Sequence, residues 1–324
     1  MRCRSSPRPA PSARRTPRPL PSELPVAYAG EPGAFAEDAV LAAFGEVARA
    51  PCGSFRDVFV AVDEGRAIAG LVPIENVING TVRENYDLLL EFDLAIRGEV
   101  VVPVDLCLAA LPGQRVEDIE RIYSHIQALG QAEGFLRRRP WQLLTTYNTA
   151  GAGKSIVERG ERGAAAVLSP RAAALFGLDV LAEEIGDLPG NRTRFLVIAS
   201  GDADLALAGG RGAAARSDAS GASARATARD AATARDAMRT TLVLSVRNEP
   251  GTLLAVLQAF AAHDLNMSKL ESRPSRERAW EYVFWVDLDA GVADPATVAA
   301  LADLEGRTTR LRVLGSYPRP RDSD

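Results

Sequence analysis

Residues 25–35 read Pro-Val-Ala-Tyr-Ala-Gly-Glu-Pro-Gly-Ala-Phe. Pro25–Ala29 is a short apolar run that meets Gly30, Pro32 and Gly33. It reads as a strand handing over, through a glycine turn, to a helix from Ala34. The same handover recurs downstream. Phe55–Glu64 carries apolar residues at 55, 58, 59 and 62, which is helical spacing. Ile68–Pro73 is a continuous apolar run of the kind a buried strand shows. Val82–Glu91 reads as a helix and Glu99–Ala110 as extended chain. Ile122–Ser124, Gln142–Thr146, Ala165–Leu168 and Arg194–Ala199 are further strands, with helices between most of them. This alternation predicts an α/β architecture with mixed sheets over residues 23–200. Residues 240–324 follow another order: strand 240–247, helix 251–263, strands 265–273 and 280–288, helix 294–303, strand 308–315. That βαββαβ order is ferredoxin-like.

Two segments fall outside these blocks. Residues 1–22 are rich in Arg, Pro and Ser and contain no apolar run, so they read as a disordered tail rather than a secretory signal. Residues 201–239 repeat Ala-Thr-Ala-Arg-Asp-Ala at 226–231 and 232–237 and hold almost no large apolar residue after Leu207, which predicts a linker. Residues 318–324 read as a second tail. The 324-residue chain carries a net charge of −4 at pH 7. Six of its 38 basic residues lie in 1–22 with no acid among them, so the remainder sets 42 acids against 32 bases. An acidic body argues against binding a phosphate backbone, and no nucleic-acid partner is expected. No stretch reaches the roughly 18 apolar residues of a membrane span. The two His residues are far apart and no Cys-x-x-Cys pair exists, which speaks against a dedicated His/Cys metal site. Three cysteines make no disulfide framework and fit a reducing, cytoplasmic setting.

Polar clusters interrupt the apolar strands at three places: Pro73-Ile74-Glu75-Asn76; Tyr123-Ser124-His125-Ile126-Gln127, with Gln131 one turn on; and Asn191-Arg192-Thr193-Arg194-Phe195. Strand ends are where open α/β sheets bind ligands, although internal hydrogen bonding would equally account for the clusters. Thr81-x-x-Glu84 and Ser124-x-x-Gln127 have the capping-box pattern, and Ser169-Pro170 an N-cap followed by proline. Each such helix start is an ordinary cap, or part of an anion site if several face one cleft. Gly151–Ser155 resembles the end of a phosphate-binding loop, but Asn148 stands where its first glycine belongs.

Taken in order, these clusters resemble the prephenate dehydratase family. The matching runs are Ala27–Phe35, Val72–Asn76, Tyr123-Ser124-His125 with Gln127-Ala128-Leu129, and Asn191-x-Thr193-Arg194-Phe195. The C-terminal block resembles an ACT regulatory domain through Pro250-Gly251-Thr252-Leu253-Leu254 and Glu271-Ser272-Arg273-Pro274. The resemblance implies a two-lobed, periplasmic-binding-protein-like catalytic domain over 23–200 and an ACT domain over 240–317. It implies loss of water and CO2 from prephenate to give phenylpyruvate in L-phenylalanine biosynthesis, without metal or organic cofactor. Thr193 is then the catalytic residue, beside the departing hydroxyl. Asn76, Thr81, Ser124, Gln127 and Gln131 would bind substrate. Arg194 would face a carboxylate or brace the loop, and Phe195 would pack against the ring or the cleft wall. Gly251, Thr252, Leu253, Leu254, Glu271, Ser272, Arg273 and Pro274 would bind L-phenylalanine as feedback effector, between ACT domains of a homodimer or homotetramer.

The chain departs from the family at Val77, Asn79 and Thr81, where Ser, Glu and Ser are common, and at Ile126, where Pro is. Asn85–Leu90 resembles plant-type members that prefer arogenate. Arogenate dehydration is therefore an alternative, and a non-catalytic ligand-binding protein with an amino-acid sensor is a second. No chorismate mutase domain fits in residues 1–22, so a monofunctional enzyme is expected.

Overall fold

The structure, a computed structural model, describes residues 24–201, 203, 205, 207, 237–275 and 281–320. The expected tail 1–22, most of the linker 201–239 and residues 321–324 lie outside the described residues. The first lobe contains β1 (Val26–Ala29), α1 (Phe35–Phe44), β2 (Arg49–Cys52), α2 (Phe55–Asp63), β3 (Ala69–Asn76), β4 (Gly80–Thr81), α3 (Arg83–Glu91) and β5 (Ala95–Pro103). The chain then crosses to a second lobe. This holds β6 (Cys107–Ala110), β7 (Arg121–Ser124), α4 (Ile126–Gln131), α5 (Glu133–Leu136), β8 (Gln142–Thr145), α6 (Thr149–Arg159), β9 (Ala164–Leu168), α7 (Pro170–Leu175) and β10 (Asp179–Ala182). It crosses back to add β11 (Arg192–Ala199) to the first lobe.

The first sheet has the order β2-β1-β3-β11-β5, and β11 runs antiparallel to both neighbours. The second has the order β10-β6-β9-β7-β8, with β7, β8 and β9 parallel. Two mixed sheets joined by two crossings make the two-lobed binding-protein architecture. β7, β8 and β9 all end on one edge, and α4, α6 and α7 all begin there. The extended stretch 99–110 breaks into β5 and β6 because the chain changes lobes between them. Two short strands, β2 and β10, have no alternating pattern to announce them. They are partly exposed edges that exist by pairing with β1 and β6.

The C-terminal domain runs β12 (Met238–Ser245), α8 (Thr252–Ala262), β13 (Met267–Pro274), β14 (Tyr282–Leu288), α9 (Pro295–Leu304) and β15 (Arg310–Pro318). Its sheet order is β13-β14-β12-β15, the ferredoxin-like arrangement. One face buries Leu244, Phe260, Ala300 and Leu304 under the two helices. The other packs directly on the first lobe. Val243, Trp285 and Tyr317 share one apolar cluster with Phe59, Val72, Leu89 and Leu196. Tyr86 meets Trp285 edge to face, with ring centroids 4.7 Å apart. A Cβ on Gly315 of β15 would fall 2.1 Å from the Ile96 carbonyl of β5, so only glycine allows this approach. The opposite face of the first sheet is covered by α1, through Tyr28, Val40, Leu71, Phe195 and Val197.

Candidate active site

The polar ends of β3 and β11 meet. Thr193 pairs with Asn76 and Arg194 with Glu75, but Phe195 pairs with Pro73. Ile74 is therefore an extra residue, a β-bulge, which resets the alternation of β3 at its last turn. Asn76 then falls beside Thr193 on one face, and Glu75 beside Arg194 on the other. The Asn76 amide donates to Thr193 Oγ1 at 2.9 Å and to Asn191 Oδ1 at 2.8 Å. Its oxygen accepts from the N–H groups of Ile78 and Asn79. Every polar atom of the Asn76 side chain is thus engaged, and its rotamer is fixed. Thr193, 9% exposed, accepts from Asn76 and has no acceptor for its own proton among the described residues. That proton is free to be donated to a bound molecule.

Asn191 extends the network across the lobes, because its amide donates to Gln131 Oε1 on α4 at 3.0 Å. Sequence reasoning quoted Asn191 but gave it no role. Its place at the head of the 191–195 polar cluster was the available signal. Gln127 stands exposed on the first turn of α4. The α4 cap is His125, whose Nδ1 accepts from the Gln127 N–H at 3.4 Å, and burial lowers its pKa. Burial thus favours its neutral form.

Four expectations need correction. Ser124 is neither the α4 cap nor open to a ligand. It is fully buried and donates to the Val167 carbonyl at 2.6 Å, tying β7 to β9. Thr81 does not cap α3, whose N-cap is Val82. Its hydroxyl donates to Glu271 of the C-terminal domain at 2.7 Å. Arg194 points away from Thr193, as neighbours on a strand must. It donates to Glu99 at 2.6 Å, Asp287 at 2.7 Å and Tyr317 at 3.2 Å. Burial disfavours its charge, but these acidic partners outweigh burial and raise its pKa. Phe195 is 2% exposed and belongs to the core under α1, where no substrate reaches it. The expected cap at Ser169 is present, accepting from the Ala172 N–H with Pro170 following.

The lobes also meet at the β1–α1 loop. Glu31 accepts from Lys154 Nζ at 2.9 Å and Tyr147 at 3.0 Å. Arg171 pairs with Glu37 and Asp38. A Cβ on Gly33 would sit 3.0 Å from that of Ala172, so the contact is close. Lys154 leads the causes that lower the Glu31 pKa. At Glu37, burial raises the pKa, but the Gly33 N–H and Arg171 more than reverse it.

In the C-terminal domain, Gly251 adopts φ 86° at the start of α8, and Thr252 donates to the carbonyls of Arg247 and Glu249. Leu254 is exposed and Leu253 half-buried. The end of β12 and the end of β13 lie at one edge of the sheet, which brings the 247–251 turn and Ser272–Pro274 to the same side. Glu271 and Arg273, expected to bind effector, turn their side chains to the first lobe. Arg273 reaches the Arg83 carbonyl and Asp87. Asn85–Leu90 lies in α3 at this interface, with Asn85 on the Pro73 carbonyl and Tyr86 on Trp285 and in the same small cavity as Ile74 and Arg194, so that run touches β3 and β11 from the side of the C-terminal domain. Among the described residues, no group of three or more His, Cys, Asp or Glu is placed to hold a metal ion.

Fold and site together define a two-lobed α/β enzyme carrying a ferredoxin-like domain on its first lobe. The sequence pattern of the prephenate dehydratase family matches residues 26–203, and that of the ACT domain matches 240–306. The bifunctional chorismate mutase/prephenate dehydratase of Aquifex aeolicus is 37% identical over 303 residues, 93% of this chain and 75% of that protein. The chloroplastic arogenate dehydratase 5 of Arabidopsis thaliana is 37% identical over 317 residues, 92% of this chain and 68% of that one. The structure of prephenate dehydratase from Arthrobacter aurescens in complex with L-Phe superposes with a TM-score of 0.74 at 30% identity, covering 92% of this chain and 90% of that one. A structure described as a novel type of quorum quenching acylase, GqqA, superposes with a TM-score of 0.75 at 29% identity, covering 91% and 97%. The chain belongs to the prephenate dehydratase family.

Proposed function

We propose that the Thr193–Asn76 pair performs the decarboxylating dehydration of prephenate to phenylpyruvate, the step that makes the ring aromatic on the way to L-phenylalanine. Prephenate carries a hydroxyl and a carboxylate at opposite carbons of a cyclohexadiene ring. The bond from ring carbon to carboxylate breaks and its electron pair enters the ring. The bond to the hydroxyl breaks with protonation, and water, CO2 and an aromatic ring result. Aromatisation drives the step, so the protein need only hold the substrate and stabilise the departing oxygen. Thr193 is a weak acid by pKa, so its part is a positioned hydrogen bond rather than bulk proton supply. The Asn76 amide fixes the hydroxyl and polarises its proton outward. Asn191 and Gln131 hold the second lobe to this pair, and Gln127 is placed to meet substrate from α4. The helix starts on one edge of the second sheet suit a dicarboxylate. A shared fold alone does not decide the reaction, as the acylase neighbour illustrates. The observation that carries the reading is the free Thr193 proton, held by Asn76 where the lobes meet.

The second reading is arogenate dehydration, favoured by the relatives of that name at 37% identity. Arogenate exchanges the side-chain keto oxygen for an amino group, so the same pair would serve it. L-phenylalanine is the proposed effector of the ACT domain, bound by the Gly251–Leu254 turn and the Ser272–Pro274 end of β13 in a dimer. Purified protein given prephenate or arogenate, with phenylpyruvate or phenylalanine followed, tests this directly. Prephenate turnover is expected, and Thr193→Ala should lower kcat by about 10²–10³-fold, the usual cost of one transition-state hydrogen-bond donor. No turnover of either substrate sinks both readings, and faster arogenate turnover selects the second.

A further inference from the structure

Strand alternation gives each of the two central site residues a chain neighbour aimed the opposite way, and the bulge at Ile74 sets the register that pairs Asn76 with Thr193 and Glu75 with Arg194. Asn76 and Thr193 face the substrate side. Glu75 and Arg194 face the ACT sheet, and each is held there by a charged residue of that sheet. Lys269 of β13 donates to Glu75 at 2.7 Å. Asp287 of β14 accepts from Arg194 at 2.7 Å. Lys269 and Asp287 are themselves cross-strand partners. One rung of the ACT sheet therefore grips one rung of the catalytic sheet. Two residues along β13, Glu271 accepts from Thr81, the cross-strand partner of Glu75. A small cavity lined by Ile74, Tyr86, Lys269, Trp285 and Asp287 lies within this contact, and the buried Trp285 indole N–H beside it has no partner among the described residues. The contact is tight at its charges and slack at its centre.

We propose that Glu75 and Arg194 are positioning residues through which Lys269 and Asp287 of the ACT sheet set the placement of Asn76 and Thr193, so that movement of β13 on effector binding reaches the reaction centre by a one-residue lever. This rests on the regulatory reading above. Strands are stiff along their length and a bulge is a local weak point, so a shift of Glu75 and Arg194 is passed to their neighbours rather than absorbed. β13 is an edge strand, paired only with β14, and it carries the Ser272–Pro274 end on the effector side. Its lobe-facing residues alternate with its outward ones, so one strand reports to both sites. The two sites are thus joined by a continuous chain of bonded groups, Lys269–Glu75–Asn76 and Asp287–Arg194–Thr193.

The test uses full-length protein, wild type against Glu75→Gln and Lys269→Met, with amide hydrogen exchange read with and without L-phenylalanine. In wild type, L-phenylalanine should change exchange at 74–77 and 192–195. In both variants that change should vanish while L-phenylalanine still raises the melting temperature. Unchanged exchange in wild type with L-phenylalanine bound overturns the inference, as does the same change persisting in the variants. An absence of any L-phenylalanine binding overturns it too, together with the regulatory reading. These readouts need no turnover, so they stand apart from the fate of the proposed reaction. Under turnover, both variants should lower kcat several-fold with little change in KM, raise the L-phenylalanine concentration for half-inhibition at least tenfold, and Lys269→Arg should restore both. Equal losses in Lys269→Arg and Lys269→Met would show a packing defect and overturn the lever.

Discussion

The first lobe makes ionic contacts on two sides, and their outermost pairs are built differently. Toward the second lobe, Arg171 holds the enclosed Glu37 and Asp38, and at the rim Glu31 meets Lys154 and Tyr147, with Lys154 38% exposed. Toward the ACT domain, Arg194, Glu99 and Asp287 are enclosed, at 15%, 2% and 5% side-chain exposure. Exposed pairs gain little, because water competes for both partners. Enclosed ones are expensive to break, because a charge is left without partner or solvent. The lobe contact is thus suited to opening and closing around a substrate, whereas the ACT contact is suited to transmitting position.

The sharpest way to break this contrast is Asp287→Ala. It leaves the buried Arg194 with Glu99 as its one remaining carboxylate partner and Thr241 without its Asp287 acceptor, and should cost about 3 kcal/mol, read by denaturant unfolding. A cost near zero would mean that the interface is wet. Gly315→Ala attacks the same interface by shape. Its Cβ must push β15 off β5, and a loss of about 1–3 kcal/mol is expected, with the ACT domain melting as a separate transition. Glu31→Gln tests the other side. The unfolding midpoint should stay within experimental spread, while small-angle scattering of the ligand-free protein shows a larger radius of gyration. Acid gives the smallest effect. The Glu31 and Glu37 pKa values are held below the ordinary 4.5. Their stabilising contribution is therefore complete above that value and lost as pH falls through the folded pKa. The difference in melting temperature between wild type and Glu37→Gln should shrink to nothing in that window.

The same contrast shows how far the sequence could be read. Strand and helix periodicity predicted an α/β block with mixed sheets and the ferredoxin-like order, because those elements bury one face each, while the division into two lobes came from the family resemblance. The polar clusters at 73–76 and 191–195 were visible as interruptions of apolar strands. Alternation along β11 already separates Thr193 from Arg194, so the turn of Arg194 toward the ACT domain was legible in the strand period. The bulge at Ile74 was not, because a two-residue pattern carries no mark of an extra residue whose cause is its partner strand. Nor was the Thr81–Glu271 bond, which joins side chains far apart in the chain. Ser124 looked like a cap because its spacing to Gln127 was right, but it is the last residue of β7, its hydroxyl is turned to the Val167 carbonyl, and the helix begins after His125.

The place of β11 has a consequence for biosynthesis. It lies between β3 and β5, yet the whole second lobe is translated before it. On the ribosome the second lobe can be complete while the first still has a gap at its centre, flanked by two unpaired strand edges. Such edges invite pairing with other chains, and long-range closure is slow. The hydroxyl proposed to act on substrate arrives with the strand that fills the gap. A chain that stalls before residue 192 is therefore both inactive and sticky, and a chain that passes residue 199 loses both faults in one folding event.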